Sequence, residues 1–291
     1  MFNINLEDST GEIRKIIPGK GCFSVLEYEK DVSTDALSAF YGYYASKMNV
    51  KKRQVIAQLN GESIILQAGA MQMILGNVDV KTDVKGAGDF MKKFIGSKVT
   101  GETAVKPKYT GTGAIILEPT YKYILFEDLA DWNNNIVIED GMFLACNDTV
   151  DMRVVARSNL SSAVLGGEGL FNTSLQGTGV AVLESPVPKE ELIEVTLDND
   201  TVKIDGNQAI AWSGSLNFTV EKTTASLIGS AASGEGLVNV YRGTGKVLIA
   251  PVRSNNAIVS AEGRNTGSSD GAVGTAAGAV TNMIGGIIGN K

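Results

Sequence analysis

The sequence predicts an all-β protein built from three pseudo-threefold-related antiparallel β repeats, packed as a sandwich or barrel. One or two short helices belong to the first repeat. Three observations lead there. Gly-Thr-Gly triplets begin at Gly111, Gly177 and Gly243, at one constant interval, inside YTGTGAIILEP, LQGTGVAVLESP and YRGTGKVLIAP. A Gly-Glu motif precedes each triplet, in VTGETAV (99–105), LGGEGLF (165–171) and ASGEGLV (232–238). Two motifs sharing one period mark a unit written three times. Short apolar runs separated by Gly, Asn and Asp clusters then identify the unit as β.

The elements follow in order. Strand-like runs at 12–17 and 22–28 flank the turn Pro18-Gly19-Lys20-Gly21. A helix is expected from Ser33 to Met48. Leu37, Phe40, Tyr41, Tyr44 and Met48 make one apolar stripe there, with Ser33 or Thr34 as cap. Aromatic residues at that spacing are expected to pack against a sheet or an interface, not to stack on bases. Strands come next at QVIAQL, SIILQAG, MQMILG and VDVKT, and a second short helix at 88–97. The middle unit reads YKYILFE, NIVIED, MFLACN and VDMRVV; the last reads LIEVTLDND, VKIDG, QAIAWS and LNFTVEK.

This divides the chain into 1–54 (strands and helix, part of the first repeat), 55–120, 121–186 and 187–251. A Gly-, Ala- and Ser-rich tail at 252–291 is expected to be disordered.

Composition removes several functions. There is no histidine, so no Ser-His, Cys-His or His-metal arrangement exists. The net charge of −6 disfavours a nucleic-acid partner, which needs clustered Lys and Arg. The densest basic stretch, Lys47 to Arg53, reads as a solvated surface more readily than as a phosphate site. Cys22 and Cys146 cannot build a disulfide framework and suit buried free thiols in a reducing compartment. No stretch has the roughly 20 apolar residues of a membrane span, and the N-terminus lacks a signal-peptide pattern. The expected location is cytoplasmic. Glycine, at 34 of 291 residues, stands above the usual figure of about 7%, as tight turns and bulges require.

The candidate metal ligands are Glu102, Glu168 and Glu235 of the Gly-Glu motifs, which keep the triplet interval to within a single position. Converging on a threefold axis, three carboxylates would demand a cation or bound protons. The alternative, which the residues favour, is that each accepts hydrogen bonds from its own turn. Thr112, Thr178 and Thr244 are likewise read as bonding to turn backbone. No Gly-rich turn has phosphate-loop spacing, and Asp198, Asp200 and Asp205-Gly206 read as β-turn, not as a calcium loop. Neither catalytic residues nor cofactors are identified.

LGGEGLFNTSLQGTGVAVLESP resembles the hallmark of the "altered inheritance of mitochondria, protein twenty-four" family, which has many bacterial members. EDGMFLACNDTV, VTLDNDTVKIDGNQAIAWSGSLNFTV and GAGDFMKKFIGSKVTGE resemble further segments of that family in matching order, over roughly 55–251. The resemblance implies a fold like the tryptophan RNA-binding attenuation protein, packed antiparallel sheets fused as a pseudo-threefold. It does not imply tryptophan or RNA binding, since the attenuator's ligand residues have no counterparts here. It carries over no functional residue. The expected function is therefore non-catalytic binding or scaffolding, with an unknown protein partner or self-association. The alternative is a small-ligand or carbohydrate-binding β protein, and behind it an Asp/Glu- or metal-dependent enzyme or an RNA binder.

Overall fold

Strand content follows from the alternating and β-branched runs just described. The computed structural model describes residues 2–8, 10–82, 106–156, 171–206, 208–222 and 237–251. All of these fall within the compact unit Met1–Arg253. The expected helix at 88–97 and the tail at 252–291 lie outside them.

Arg14–Pro18 (β1) and Phe23–Tyr28 (β2) form a hairpin. A helix, α1, spans Ala36–Lys47. Arg53–Leu66 (β3), Met71–Lys81 (β4) and Lys108–Leu117 (β5) are long strands. The middle of the chain forms Tyr123–Asp128 (β6), Asn135–Ile138 (β7), Phe143–Asn147 (β8) and Val150–Ala156 (β9). Phe171–Gly177 (β10) and Val180–Ser185 (β11) follow. Ile193–Asp205 (β12), Ala209–Ser213 (β13), Asn217–Lys222 (β14) and Leu237–Ile249 (β15) are the remaining strands.

The strands make two antiparallel sheets. One runs β1-β2-β3-β8-β11-β6, with β5 on β3 and β4 on β5; the other runs β12-β15-β13-β7-β10-β9, with β14 on β15. The fold is all-β and antiparallel, as the sequence predicts.

One pairing pattern recurs at the Gly-Thr-Gly strands. β5 lies between β3 and β4, and β15 lies between β12 and the β13–β14 pair. In the middle, the corresponding strand divides at Thr178. β10 pairs with β7 and β9, and β11 with β6 and β8, so the chain passes there from one sheet to the other. The same bulge also recurs. Leu117–Ile116 face Met71 and Met73; Leu183–Val182 face Phe143 and Ala145; Ile249–Leu248 face Ala209 and Ala211. One residue is skipped each time.

At the first two triplets the central strand approaches its neighbour too closely for a side chain, whereas at Gly243 the positive φ of 122° is what favours glycine. A Cβ on Gly111 would stand 2.1 Å from the Asn77 carbonyl oxygen, and one on Gly177 would stand 2.3 Å from that of Thr149. No side chain fits such an approach. Thr244 Oγ1 accepts a hydrogen bond from the Asn199 amide at 3.0 Å, the backbone role expected of it.

Runs that read as separate strands join into one wherever the break is a bulge. β3 passes through Gly61 (φ +96°) and β12 through Asn199 (φ +50°), each with a register shift. Local turn chemistry at such points only kinks a strand whose ladder continues on both sides.

The buried apolar faces form distinct clusters. Leu129, Trp132, Ile136, Cys146 and Leu175 anchor the middle one, Leu59, Ile64, Leu66 and Ile115 the first, and Trp212, Leu216, Tyr241 and Val247 the last. Each fully buried Leu or Ile contributes about 1.5–3 kcal/mol.

Candidate functional site

The segment leading out of β2 produces the least expected surface of the molecule. Asp35 caps α1 instead of Ser33 or Thr34. Its carboxylate accepts from the amides of Leu37 (2.9 Å) and Ser38 (3.1 Å) and from Ser38 Oγ (2.6 Å). The Ser38 hydroxyl and these amides hold its pKa below the ordinary value. An Asp just before an apolar-periodic run is itself a cap signal, visible in the sequence. Asn49, in the left-handed region at φ +62°, ends the helix as the Val50 amide returns to the Ala45 carbonyl.

No residue of α1 is buried. The stripe expected to pack against a sheet or an interface does not meet the sheet: Leu37, Phe40, Tyr41, Tyr44 and Met48, with Tyr43 beside them, are all between 45% and 77% exposed. The rings contact one another edge-on, Phe40 with Tyr44 at 5.1 Å and Tyr43 with Tyr44 at 5.4 Å between centroids. Lys47 Nζ stands 5.1 Å from the Tyr43 centroid. Periodicity correctly marks the helix, but what would cover its apolar face is not another part of the described chain.

The base of α1 is tied to the sheet by hydrogen bonds and ion pairs, and here the basic stretch departs from a solvated surface. Arg53 pairs with Glu27 in register across β2 and β3 and is 5% exposed. Its Nε donates to Glu27 Oε2 at 3.0 Å, and its Nη2 donates to Asn49 Oδ1 at 2.7 Å. The guanidinium also stacks 4.8 Å from the Tyr123 centroid. Lys51 reaches Glu27 (3.1 Å) and Glu29 (2.7 Å), and Lys15 reaches Glu29 at 2.5 Å. Lys15 and Lys51 together hold Glu29 below the usual carboxylate range. Burial opposes the Lys51 ammonium, but its bonds to Glu29 and Glu27 outweigh it and raise its pKa. These charges are matched across strands, which spacing along one segment does not reveal. Between α1 and this network lies a shallow cleft lined by Gly11, Glu12, Lys15, Glu29, Lys47 and Lys51.

Glu102, Glu168 and Glu235 lie outside the described residues. Among the described residues, no three His, Cys, Asp or Glu side chains stand close enough to hold a metal ion. Both cysteines are free. Cys146 is buried and Cys22 half-buried, and burial pushes their thiols up to about 12 and about 11. Neither has the depressed pKa of a reactive thiol. No described helix is long and apolar enough to cross a membrane.

The fold and this surface define an antiparallel all-β protein carrying an exposed aromatic helix. The family model described as "Mitochondrial biogenesis AIM24" matches residues 47–252, and the chain belongs to that family. Apart from Lys47, α1 precedes the matched stretch. An uncharacterised protein of Streptococcus pyogenes serotype M6 is 30% identical over 198 residues, covering 65% of this chain and 77% of that relative. A crystal structure of a Streptococcus pyogenes protein is similar in fold, with a TM-score of 0.52 at 24% identity. The match covers 73% of this chain and 94% of that one.

Proposed function

We propose that this protein works in the cytoplasm by binding or scaffolding and not by catalysis, and that its three units, 55–120, 121–186 and 187–251, supply a rigid support for that role. The observation that carries the reading is α1. Four aromatic rings, a Leu and a Met stand in solvent on a helix whose base is clamped to the sheet by Arg53 and Glu27. Aromatic residues on rigid supports are the commonest energetic anchors of protein interfaces, so the partner is another protein. The free thiols suit a reducing compartment.

The test is a photo-reactive amino acid placed at Tyr41 in living cells, with one at the exposed Asp151 as control. The expected result is an adduct with one defined protein from position 41 alone. That protein, once purified, should bind the wild type and not the Phe40→Ser/Tyr44→Ser variant. Adducts that are the same from both positions would overturn the reading. So would a catalytic turnover that the double variant leaves intact but that is lost on Glu168→Gln.

The cleft beside α1 supports a second reading, binding of a small polar ligand or carbohydrate. A thermal-stability screen over sugars, nucleotides and divalent ions addresses it. Stabilisation that Lys51→Met abolishes would favour this reading over the first.

A further inference from the structure

The two junctions inside the protein obey one rule. The second half of β3 pairs with β8: Ile64 faces Asn147, Ile65 faces Cys146 and Leu66 faces Ala145. In the middle unit β7 does the same with β13: Ile136 faces Ser213, Val137 faces Trp212 and Ile138 faces Ala211. Both series sit at the same register on their own central strands. Ile64 faces Tyr109 and Ile136 faces Leu175, and the two facing residues, Tyr109 and Leu175, are one repeat interval apart. Ala145 faces Val182 and Ala211 faces Leu248, and both of these pairs of positions differ by the same interval. Each unit thus lends the end of its first strand to the start of the next unit's second strand.

Applied to the outer units, the rule leaves one half-strand over at each end. In the last unit it is the second half of β12, where Val202 faces Tyr241 as Ile64 faces Tyr109. In the first unit it is the start of β4, where Met73 faces Ile116 as Ala145 faces Val182. Among the described residues β12 pairs only with β15, and β4 only with β5. Other edges are different in kind. β9 and β14 hold the same place in their units, and both are edges. β6 is an edge where its counterpart, the first half of β3, is covered by β2, but β2 belongs to none of the three units. Among the described strands, β4 and β12 are the two that lack the pairing with a neighbouring unit that their counterparts have. Burial agrees: Met73 is 36% exposed, whereas Ala145 and Ala211 in the same position are 0% and 1% exposed. The N-terminal segment does not supply the missing strand. Ile4 and Leu6 pack on the apolar cluster containing Leu75, on a face of the sheet, and no backbone hydrogen bond joins them to β4 among the described residues.

We propose that β12 of one copy of this chain pairs antiparallel with β4 of a second copy, with Val202 opposite Leu75, Lys203 opposite Ile74 and Ile204 opposite Met73. The junction is the internal one repeated between molecules. It is head-to-tail, so it propagates to a ring or a filament according to whether the rotation closes. At this junction Lys203 takes the place that Ile65 and Val137 hold in the internal ones, so the β12 side is more polar than its counterparts. Thr201, Lys203 and Asp205 make the β12 edge polar, and an antiparallel β12–β12 pairing centred on Lys203 would set two Lys203 side chains opposite each other. The stretch Met71–Leu75 carries no charge and presents no such conflict.

The test uses the full chain. Ile74→Cys and Lys203→Cys are made separately, and each alone and their mixture are oxidised with diamide. The native thiols are a quiet background, being buried or half-buried with raised pKa values. The expected result is disulfide-linked dimer in the mixture and none in either variant alone. In parallel, sedimentation velocity of the unmodified chain should show association that grows with concentration. Met73→Lys, at an exposed position, should stay folded by circular dichroism and lose that association, while Phe40→Ser/Tyr44→Ser keeps it. A chain that is monomeric at every concentration overturns the proposal. So does association without the mixed disulfide, a Lys203→Cys homodimer, or association that the α1 variant abolishes. The pairing stands or falls independently of whether α1 has a partner.

Discussion

Thr149 Oγ1 donates a hydrogen bond to the Thr178 carbonyl at 2.5 Å, and Ser215 Oγ makes the same bond to the Thr244 carbonyl at 2.9 Å, with donor and acceptor displaced along the chain by one and the same interval. The next contact repeats as well. Asn147 Oδ1 accepts from the Val180 amide at 2.8 Å and Ser213 Oγ from the Lys246 amide at 3.0 Å. Each bend in a central strand leaves backbone groups outside the ladder, and a neighbouring side chain satisfies them. Thr149→Ala and Ser215→Ala should each lower stability by about 0.5–1.5 kcal/mol. Their effects should add, because the two sites share no partner. Urea unfolding of both single variants and the double variant checks this.

Two glycines should respond in opposite directions to the same substitution. A Cβ at Gly113 would lie 2.0 Å from the Leu75 carbonyl oxygen, in the middle of the β4–β5 ladder. Gly113→Ala should cost about 1–3 kcal/mol, since the backbone must move to admit it. Gly42 lies inside α1 with nothing within 4 Å of the added atom. Gly42→Ala should stabilise the helix by about 0.5–1 kcal/mol. Chemical denaturation separates the two signs.

Aromatic residues should divide by what covers them. Phe40→Ser/Tyr44→Ser should leave the global unfolding midpoint unchanged, because both rings are more than half exposed. Trp132 is 1% exposed, and its Nε1 donates to the buried Glu127 Oε2 at 3.0 Å. Trp132→Phe keeps most of the apolar volume but leaves that carboxylate short of a donor, at a cost of about 1–3 kcal/mol. Thermal melts of the two variants side by side give the comparison.

Acid stability should carry a signature of Glu221. Arg242 grips this carboxylate with two bonds, at 2.5 and 2.8 Å, and Thr219 Oγ1 adds a third at 2.8 Å. These partners, Arg242 first, lower its pKa from 4.5 to about 2. The folded value lies below the unfolded one, so the stabilisation is complete above about 4.5 and is lost as pH falls towards about 2. Glu221→Gln should therefore be less stable than the wild type near neutral pH, with the gap closing across that interval. The site is solvent-facing, so the gap is small and shrinks with added salt. Urea midpoints measured against pH reveal it.

Much of the fold is legible in particular residues. The spacing of Gly111, Gly177 and Gly243 locates the three bends, and the runs MFLACN and QAIAWS locate β8 and β13. The candidate site is legible only in part. Leu37, Phe40, Tyr41, Tyr44 and Met48 announce a helix, yet the same periodicity describes a face packed on a sheet and a face left in solvent. Lys47 to Arg53 reads as a charged surface, whereas Arg53 is buried against Glu27. That pairing joins two separate strands and depends on the β2–β3 register.

By itself the sequence determined the all-β class, where most of the strands run and where the Gly-Thr-Gly triplets interrupt them. Those depend on local rules: alternation, turn chemistry and the absence of a Cβ. Only the tertiary structure decided which runs merge into one bulged strand, that Arg53 and Glu27 meet, and that among the described residues α1 stands uncovered and β4 and β12 each have a partner on one side alone. Each of these depends on hydrogen bonds and contacts between residues far apart in the chain, and no local pattern encodes which distant strand arrives to make them.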